Sequence, residues 1–230
     1  MSSLSILQVF ADRGAENPTL SNYGKVTRLS INIEPNEYSD AVQCDANHLP
    51  LQPDAQFDIG WFHPPCGGAS IMSETGDGSR DDWPDLIPLS REIADQHCNH
   101  HVIENIPRES LNEEVILTGH MFELGIKQER GFETSFRIEQ PPRQKQLAET
   151  SPFFYTEKPH GWWAGVKGSS TEFPKAHLAK NTIPAAYINY IMRHHAKAVN
   201  TEDLPDYSNY NSEMEAKRRQ TDNASLGAFQ

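Results

Sequence analysis

The chain has 230 residues, 37% of them apolar and 9% aromatic, enough for one domain with a real core and incompatible with a collagenous, coiled-coil or disordered class. A net charge of -12 argues against a bulk electrostatic grip on nucleic acid. Three scattered cysteines, no apolar run of the roughly 20 residues a membrane span needs and no basic-then-apolar start lead us to expect a cytoplasmic protein with free thiols and no membrane partner.

In chain order, β-rich segments at 4–10, 26–33, 41–44 and 57–62 are separated by Asn, Pro, Gly and Asp clusters. Residues 84–98 read as a helix, with Leu86, Leu89, Ile93 and Ala94 on one face, and 101–106 as a buried strand. Alternating strands and crossovers imply an α/β fold with a doubly wound, mostly parallel sheet, whose ligands sit beyond the carboxyl ends of the strands. A second helix is expected over 111–124 and a hairpin of strands over 126–136. Residues 137–171, rich in Pro, Gln, Gly and aromatics, read as a small loop-rich insertion within a domain spanning 1–199. Helical periodicity resumes at Thr182, with Ile183, Tyr187, Tyr190 and Ile191 on one face, and the polar stretch 200–230 is expected to be a flexible tail.

Charge is uneven along this chain. Between Lys127 and Lys180 nine basic residues face six acidic ones, a local +3 against -15 for the remainder. A polyanion could dock there.

The sharpest local signal is His63-Pro64-Pro65-Cys66-Gly67-Gly68, directly after the strand at 57–62. Two prolines stiffen the exit and the glycines release the chain, so Cys66 is presented at the ligand-binding edge as a nucleophile rather than as a small core filler. His101-Val102-Ile103-Glu104-Asn105-Ile106-Pro107 ends an apolar strand on a glutamate, and a buried carboxyl is costly unless something uses it. Arg130, in Gln128-Glu129-Arg130-Gly131-Phe132-Glu133, stands where the chain can turn back to the same edge. The histidines and cysteines at 97–101, with His63 and Cys66, offer nitrogen and sulfur, but no pair has zinc-finger spacing, so no metal is expected.

These segments, in this order, resemble the motifs of DNA (cytosine-5) methyltransferases, above all the small forms of phages, archaeal viruses and archaea. The likeness runs from about Leu7 to Ile191. It implies the Rossmann-like fold of class I S-adenosylmethionine-dependent methyltransferases, the catalytic set Cys66, Glu104 and Arg130, a DNA substrate and a place in restriction–modification. Enzymes that methylate exocyclic amines carry an aromatic residue after Pro-Pro, whereas this chain has Cys66 there. For the cofactor, S-adenosylmethionine, the resemblance implies Phe10, Asp12 and Gly14 in the first loop, where a single glycine remains. It also implies Glu34 at the ribose, with Asn32 in the more usual slot, Asp45 at the adenine amine, and Pro64 and Asn181 nearby.

The chemistry needs these residue types. A thiolate adding at C6 makes C5 of cytosine electron-rich, an acid at N3 and the exocyclic amine neutralises the charge that develops, and the base is flipped out of the duplex or already single-stranded. Trp162, Trp163 and Phe153 are candidates to stack on bases, with Arg143, Lys145 and Lys158 on phosphates, although clustered aromatics equally form a mini-core. Two other readings stay open: a catalytically inactive module that binds DNA or a partner, and the same chemistry on RNA or a free nucleotide.

Overall fold

The computed structural model describes residues 3–66, 84–107, 109, 111–142 and 149–199. The flanking glycines Gly67 and Gly68, Arg143, Lys145 and the tail at 200–230 lie outside them. The chain forms two compact units: residues 1–14, 24–117 and 129–141 make the first, and 15–23, 118–128 and 142–230 the second.

The first unit is built on a seven-stranded sheet. Its strands are β1 (Leu4–Val9), β2 (Gly24–Ser30), β3 (Asp40–Gln43), β4 (Phe57–Phe62), β5 (Cys98–Asn105), β6 (Val115–Thr118) and β7 (Glu129–Thr134), in the order β3-β2-β1-β4-β5-β7-β6. Strands β1 to β5 run parallel, and β7 returns antiparallel beside β5. The buried stretches of the central strands are largely apolar, with Ile6, Leu7 and Val9 in β1, Ile59, Trp61 and Phe62 in β4 and Val102 and Ile103 in β5, as expected where both faces of a parallel sheet are covered. Leu7, Val9, Leu29, Phe62 and Ile103 pack with Ile93 and Ala94 in one cluster, each buried aliphatic or aromatic side chain contributing roughly 1.5–3 kcal/mol. Ile93 and Ala94 belong to helix α2 (Ile87–His97), which also buries Ile87, Ser90 and His97. At Gly60 a Cβ would lie 2.7 Å from Cys98 Sγ and 2.5 Å from the Phe62 ring, so only glycine lets these groups approach.

Two expectations are corrected. Residues 111–124 form no helix: Val115–Thr118 is strand β6 and Gly119–Phe122 a 3-10 turn. The β-branched run Val115-Ile116 with Thr118 completes the sheet beside β7, and that pairing overrides the helical spacing of the apolar residues. The hairpin over 126–136 reduces to the single strand β7, while Ile126 bridges Thr150 in the other unit.

The second unit is helical, with α1 (Asn17–Leu20), a 3-10 segment (Pro152–Glu157), α3 (His160–Lys167), α4 (Lys175–Lys180) and α5 (Ala185–Ala198). Helix α5 begins after Pro184 rather than at Thr182, since a proline suits the start of a helix and not its interior. Part of the segment read as loop-rich is therefore α3, ended by Gly168 at φ 66°. Trp162 and Trp163 are 3% and 0% exposed, in a cluster with Ala15, Ile126, Phe173 and Leu178, their rings edge to face at 4.9 Å. They are this unit's core and have no face free for a base. Lys167, also buried, donates to Gln128 Oε1 and to Thr182 O, and Tyr187 Oη donates to Gln128 O at 2.7 Å. Among the described residues no helix is long and apolar enough to cross a membrane.

Candidate active site

The site lies at the carboxyl ends of β1, β4 and β5, and β7 completes it. Because β7 runs antiparallel to β5, its first residues meet the last residues of β5: Glu104 pairs with Phe132 and Asn105 with Gly131. Arg130, one residue earlier, therefore arrives beside the Glu104 side chain, with its Nε 2.8 Å from Glu104 Oε1. The other carboxyl oxygen, Oε2, is 3.1 Å from His63 Nδ1. Glu104 is 6% exposed, and a carboxyl so removed from water is tolerable because positive or donating groups meet both oxygens.

The turn after β4 is tied down at three points. His63 N donates to Val9 O at 3.1 Å, His63 Nε2 lies 3.3 Å from Gln8 Nε2, and Asn105 Nδ2 donates to Pro64 O at 3.0 Å. Cys66 follows, partly buried, within the electrostatic reach of both Glu104 and Arg130. Burial pushes its thiol up, Arg130 pulls it back down and Glu104 pushes it up again, for a net rise. Cys98, deeper and without a cation, is pushed up to about 12 by burial.

Beside this cluster the same unit holds a cavity of about 430 Å³ over the ends of β1, β2 and β3, within the 300–1,000 Å³ span usual for small-molecule sites. Phe10, Asp12 and Asp45 line it, as does Pro65. Phe10 has φ 66°, a left-handed conformation costly for a bulky residue and typical of functional loops. Asp12 accepts from Ser30 Oγ. Asp45 accepts from Asn47 N and Nδ2, which hold its carboxyl below the usual carboxylate range.

The remaining expected contacts are placed otherwise. Glu34 is not among the described lining residues: its carboxylate pairs with Arg13 at 2.7 Å, and Asn32 lines the wall instead. Gly14 is buried at φ 61°, and Pro64 is buried, next in the chain to the lining residue Pro65. Asn181 is exposed in the second unit, where it closes α4 through its N–H to His177 O. Among the described residues no three His, Cys, Asp or Glu side chains are grouped to hold a metal ion.

Four residues escaped the sequence reading of the site. Gln8 and Arg28 are polar residues inside apolar strands and fully buried; that interruption of pattern was the available signal. Arg28 donates to Ala11 O at 2.9 Å, to Asp12 O at 2.7 Å and to Glu34 O, binding the loops after β1 and β2 to each other. His63 and Asn105 stood within the motifs, but nothing in the sequence pairs them with Glu104 and Pro64.

The strand order, with one antiparallel strand beside β5, defines the Rossmann-like fold of class I S-adenosylmethionine-dependent methyltransferases. Among solved structures, a methyltransferase of Entamoeba histolytica matches over 86% of this chain and 99% of its own, with TM-score 0.54 and 12% identity. A prophage-encoded chain of E. coli described as a DNA modification methyltransferase matches over 68% of this chain, with TM-score 0.43 and 14% identity. The Dnmt2 methyltransferase of S. pombe matches over 67%, with TM-score 0.39 and 17% identity. This chain spans 55% of the length of each of the latter two. No family model matches the sequence, and no curated protein matches it either.

Proposed function

We propose that this protein methylates C5 of cytosine in DNA, with S-adenosylmethionine as methyl donor and a covalent adduct through Cys66. The observation that carries the reading is the convergence of Cys66, Glu104 and Arg130 at one strand edge, beside a cavity of cofactor size.

Cys66 attacks C6 of the cytosine as a thiolate, and Arg130 favours that charge. Glu104 faces N3 and the exocyclic amine, and its pairing with Arg130 and His63 sets the direction of the carboxyl before the base arrives. The cofactor supplies an electrophilic methyl group bonded to a sulfonium sulfur. Phe10, Asp12 and Asp45 hold it, with Gly14 and Pro64 shaping the backbone around it and Asn32 in the wall where Glu34 was expected. Glu34, paired with Arg13, and Asn181, at the end of α4, have no assigned contact with it. Once C5 carries the methyl group and the demethylated thioether has left, a water molecule takes the C5 proton, the C5–H electron pair restores the C5–C6 double bond, and the Cys66–C6 bond breaks with its pair on sulfur, which frees the thiolate. Such a site reaches only a base that is flipped out or single-stranded. Protection of DNA in a restriction–modification setting, as in small phage or archaeal-virus enzymes, is the use this chemistry fits.

The test is methyl transfer from labelled S-adenosylmethionine to DNA, RNA and free nucleotides, with bisulfite sequencing of methylated DNA. Wild type is expected to label DNA, and Cys66→Ala to fall to background while still melting cooperatively. Oligonucleotides carrying 5-fluorocytosine are expected to trap wild type, since the fluorine cannot leave. A fully active Cys66→Ala variant would exclude the nucleophile; labelling of RNA or nucleotide alone would move the substrate; DNA binding with neither labelling nor adduct would support the inactive binding module.

A further inference from the structure

His63 lies between two side chains from neighbouring strands. Its Nδ1 is 3.1 Å from Glu104 Oε2 on β5, and its Nε2 is 3.3 Å from Gln8 Nε2 on β1. Gln8 has no exposed surface and interrupts the apolar run of β1. A buried amide in the middle of a sheet is unfavourable unless it makes a needed hydrogen bond.

The ring has two distinct nitrogens, and a neutral imidazole carries one proton. Gln8 Nε2 is an amide nitrogen that can only donate, so the ring nitrogen facing it is bare and accepts. The proton then sits on Nδ1, where it is donated to Glu104 Oε2. Glu104 is thereby held from two sides, by Arg130 on one oxygen and His63 on the other.

We propose that His63 is a positioning residue for Glu104, and that Gln8 selects the ring tautomer that can do this. The inference rests on the cytosine C5 reading above, because it gives Glu104 a base to face. The side chains that matter are only 13% exposed for His63 and 8% for Glu104, so water does not readily replace the bond. A carboxyl swung out of line loses rate without losing cofactor.

Three variants test this. Asparagine puts an amide nitrogen close to the place of Nδ1, glutamine close to that of Nε2, and alanine neither. In the assay above, His63→Ala is expected to lower kcat about 10- to 100-fold, with KM and the directly measured dissociation constant for S-adenosylmethionine within about threefold of wild type. His63→Asn is expected to recover most of that kcat and His63→Gln little. In the protein without cofactor, nitrogen-15 spectra of the histidine rings, assigned by the signals lost in His63→Asn, are expected to show His63 protonated at Nδ1. The Gln8→Leu variant is expected to lose that preference.

A wild-type kcat in His63→Ala would overturn the proposal, as would equal rescue by asparagine and glutamine, or a ring bare at Nδ1. A fall in melting temperature and cofactor affinity parallel to the fall in kcat would make the role structural instead, which also overturns it. An inactive wild type with the Nδ1-protonated ring would refute the functional reading alone and leave the Gln8–His63–Glu104 arrangement standing.

Discussion

Asn105 donates its side-chain amide to the carbonyl oxygen of Pro64 at 3.0 Å, across the gap between the end of β5 and the turn that carries Cys66. The same residue folds its Oδ1 back to Ile106 N. Strand β5 thus carries the carboxyl of Glu104 and, with the next residue, tethers the turn that leads to Cys66, two members of the proposed catalytic set.

Asn105→Ala tests that tether. The bond is buried, and its loss leaves the Pro64 carbonyl without this donor, so stability is expected to fall by about 1–2 kcal/mol. The rate is expected to fall by roughly tenfold or more, because the thiol and the carboxyl no longer share one frame. Thermal melts and kcat measured on the same samples check both, and a large stability loss with an unchanged rate would deny the tether a catalytic role.

The Cys66 thiol gives a pH signature. Burial pushes its thiol up and so holds back ionisation, Arg130 works against that rise, and the thiolate, with the adduct proposed for it, is favoured as pH rises. Arg130→Leu removes the opposing charge, which moves the ascending limb of the pH–rate profile further to alkaline. Alkylation of Cys66 by iodoacetamide, followed by mass spectrometry across pH, is expected to shift the same way. Cys98, pushed up to about 12, is expected to stay unlabelled at neutral pH in the folded protein.

Glu133 ties helix α2 to strand β7. Its carboxylate takes two hydrogen bonds from Arg91, at 2.7 and 2.8 Å, and one from Asn112 N at 2.7 Å. Burial pushes the Glu133 carboxyl up, but these donors outweigh it and hold it below its ordinary value. A carboxyl ionising at lower pH folded than unfolded adds stability above its unfolded value, and that stability disappears as pH falls through the folded value. Arg91→Met is therefore expected to cost about 2–4 kcal/mol near neutral pH and progressively less in acid, as read by urea melts at several pH values.

Phe153 and Phe154 are 59% and 60% exposed, while Trp162 and Trp163, eight to ten residues further on, are core. If bases stack in the second unit, they stack on the phenylalanines. Phe153→Ala with Phe154→Ala is expected to weaken binding of single-stranded DNA by about 1–3 kcal/mol per stacked base with an unchanged melting temperature. Trp163→Ala, by contrast, is expected to destabilise the fold by about 3–5 kcal/mol. Fluorescence anisotropy titrations and thermal melts separate the two.

The sequence by itself determined the segments of β1 to β5 and the helix over most of 84–98, and it marked Cys66 and Glu104 as candidates at strand ends, since apolar periodicity, Pro-Pro stiffening and a carboxyl at the end of an apolar strand are local signals. It misjudged 111–124, where tertiary pairing at a sheet edge outweighed a helical spacing, and it left open whether the aromatic cluster was surface or core, which depends on what packs against it. Only the tertiary structure decided which side chains meet. Arg130 reaches Glu104 because β7 runs antiparallel to β5, Gln8 reaches His63 because β1 lies beside β4, and Glu34 turns to Arg13 while Asn32 lines the cavity. Those pairings join residues up to 55 positions apart, and a hydrogen bond depends on distance in space, which periodicity along a chain does not encode.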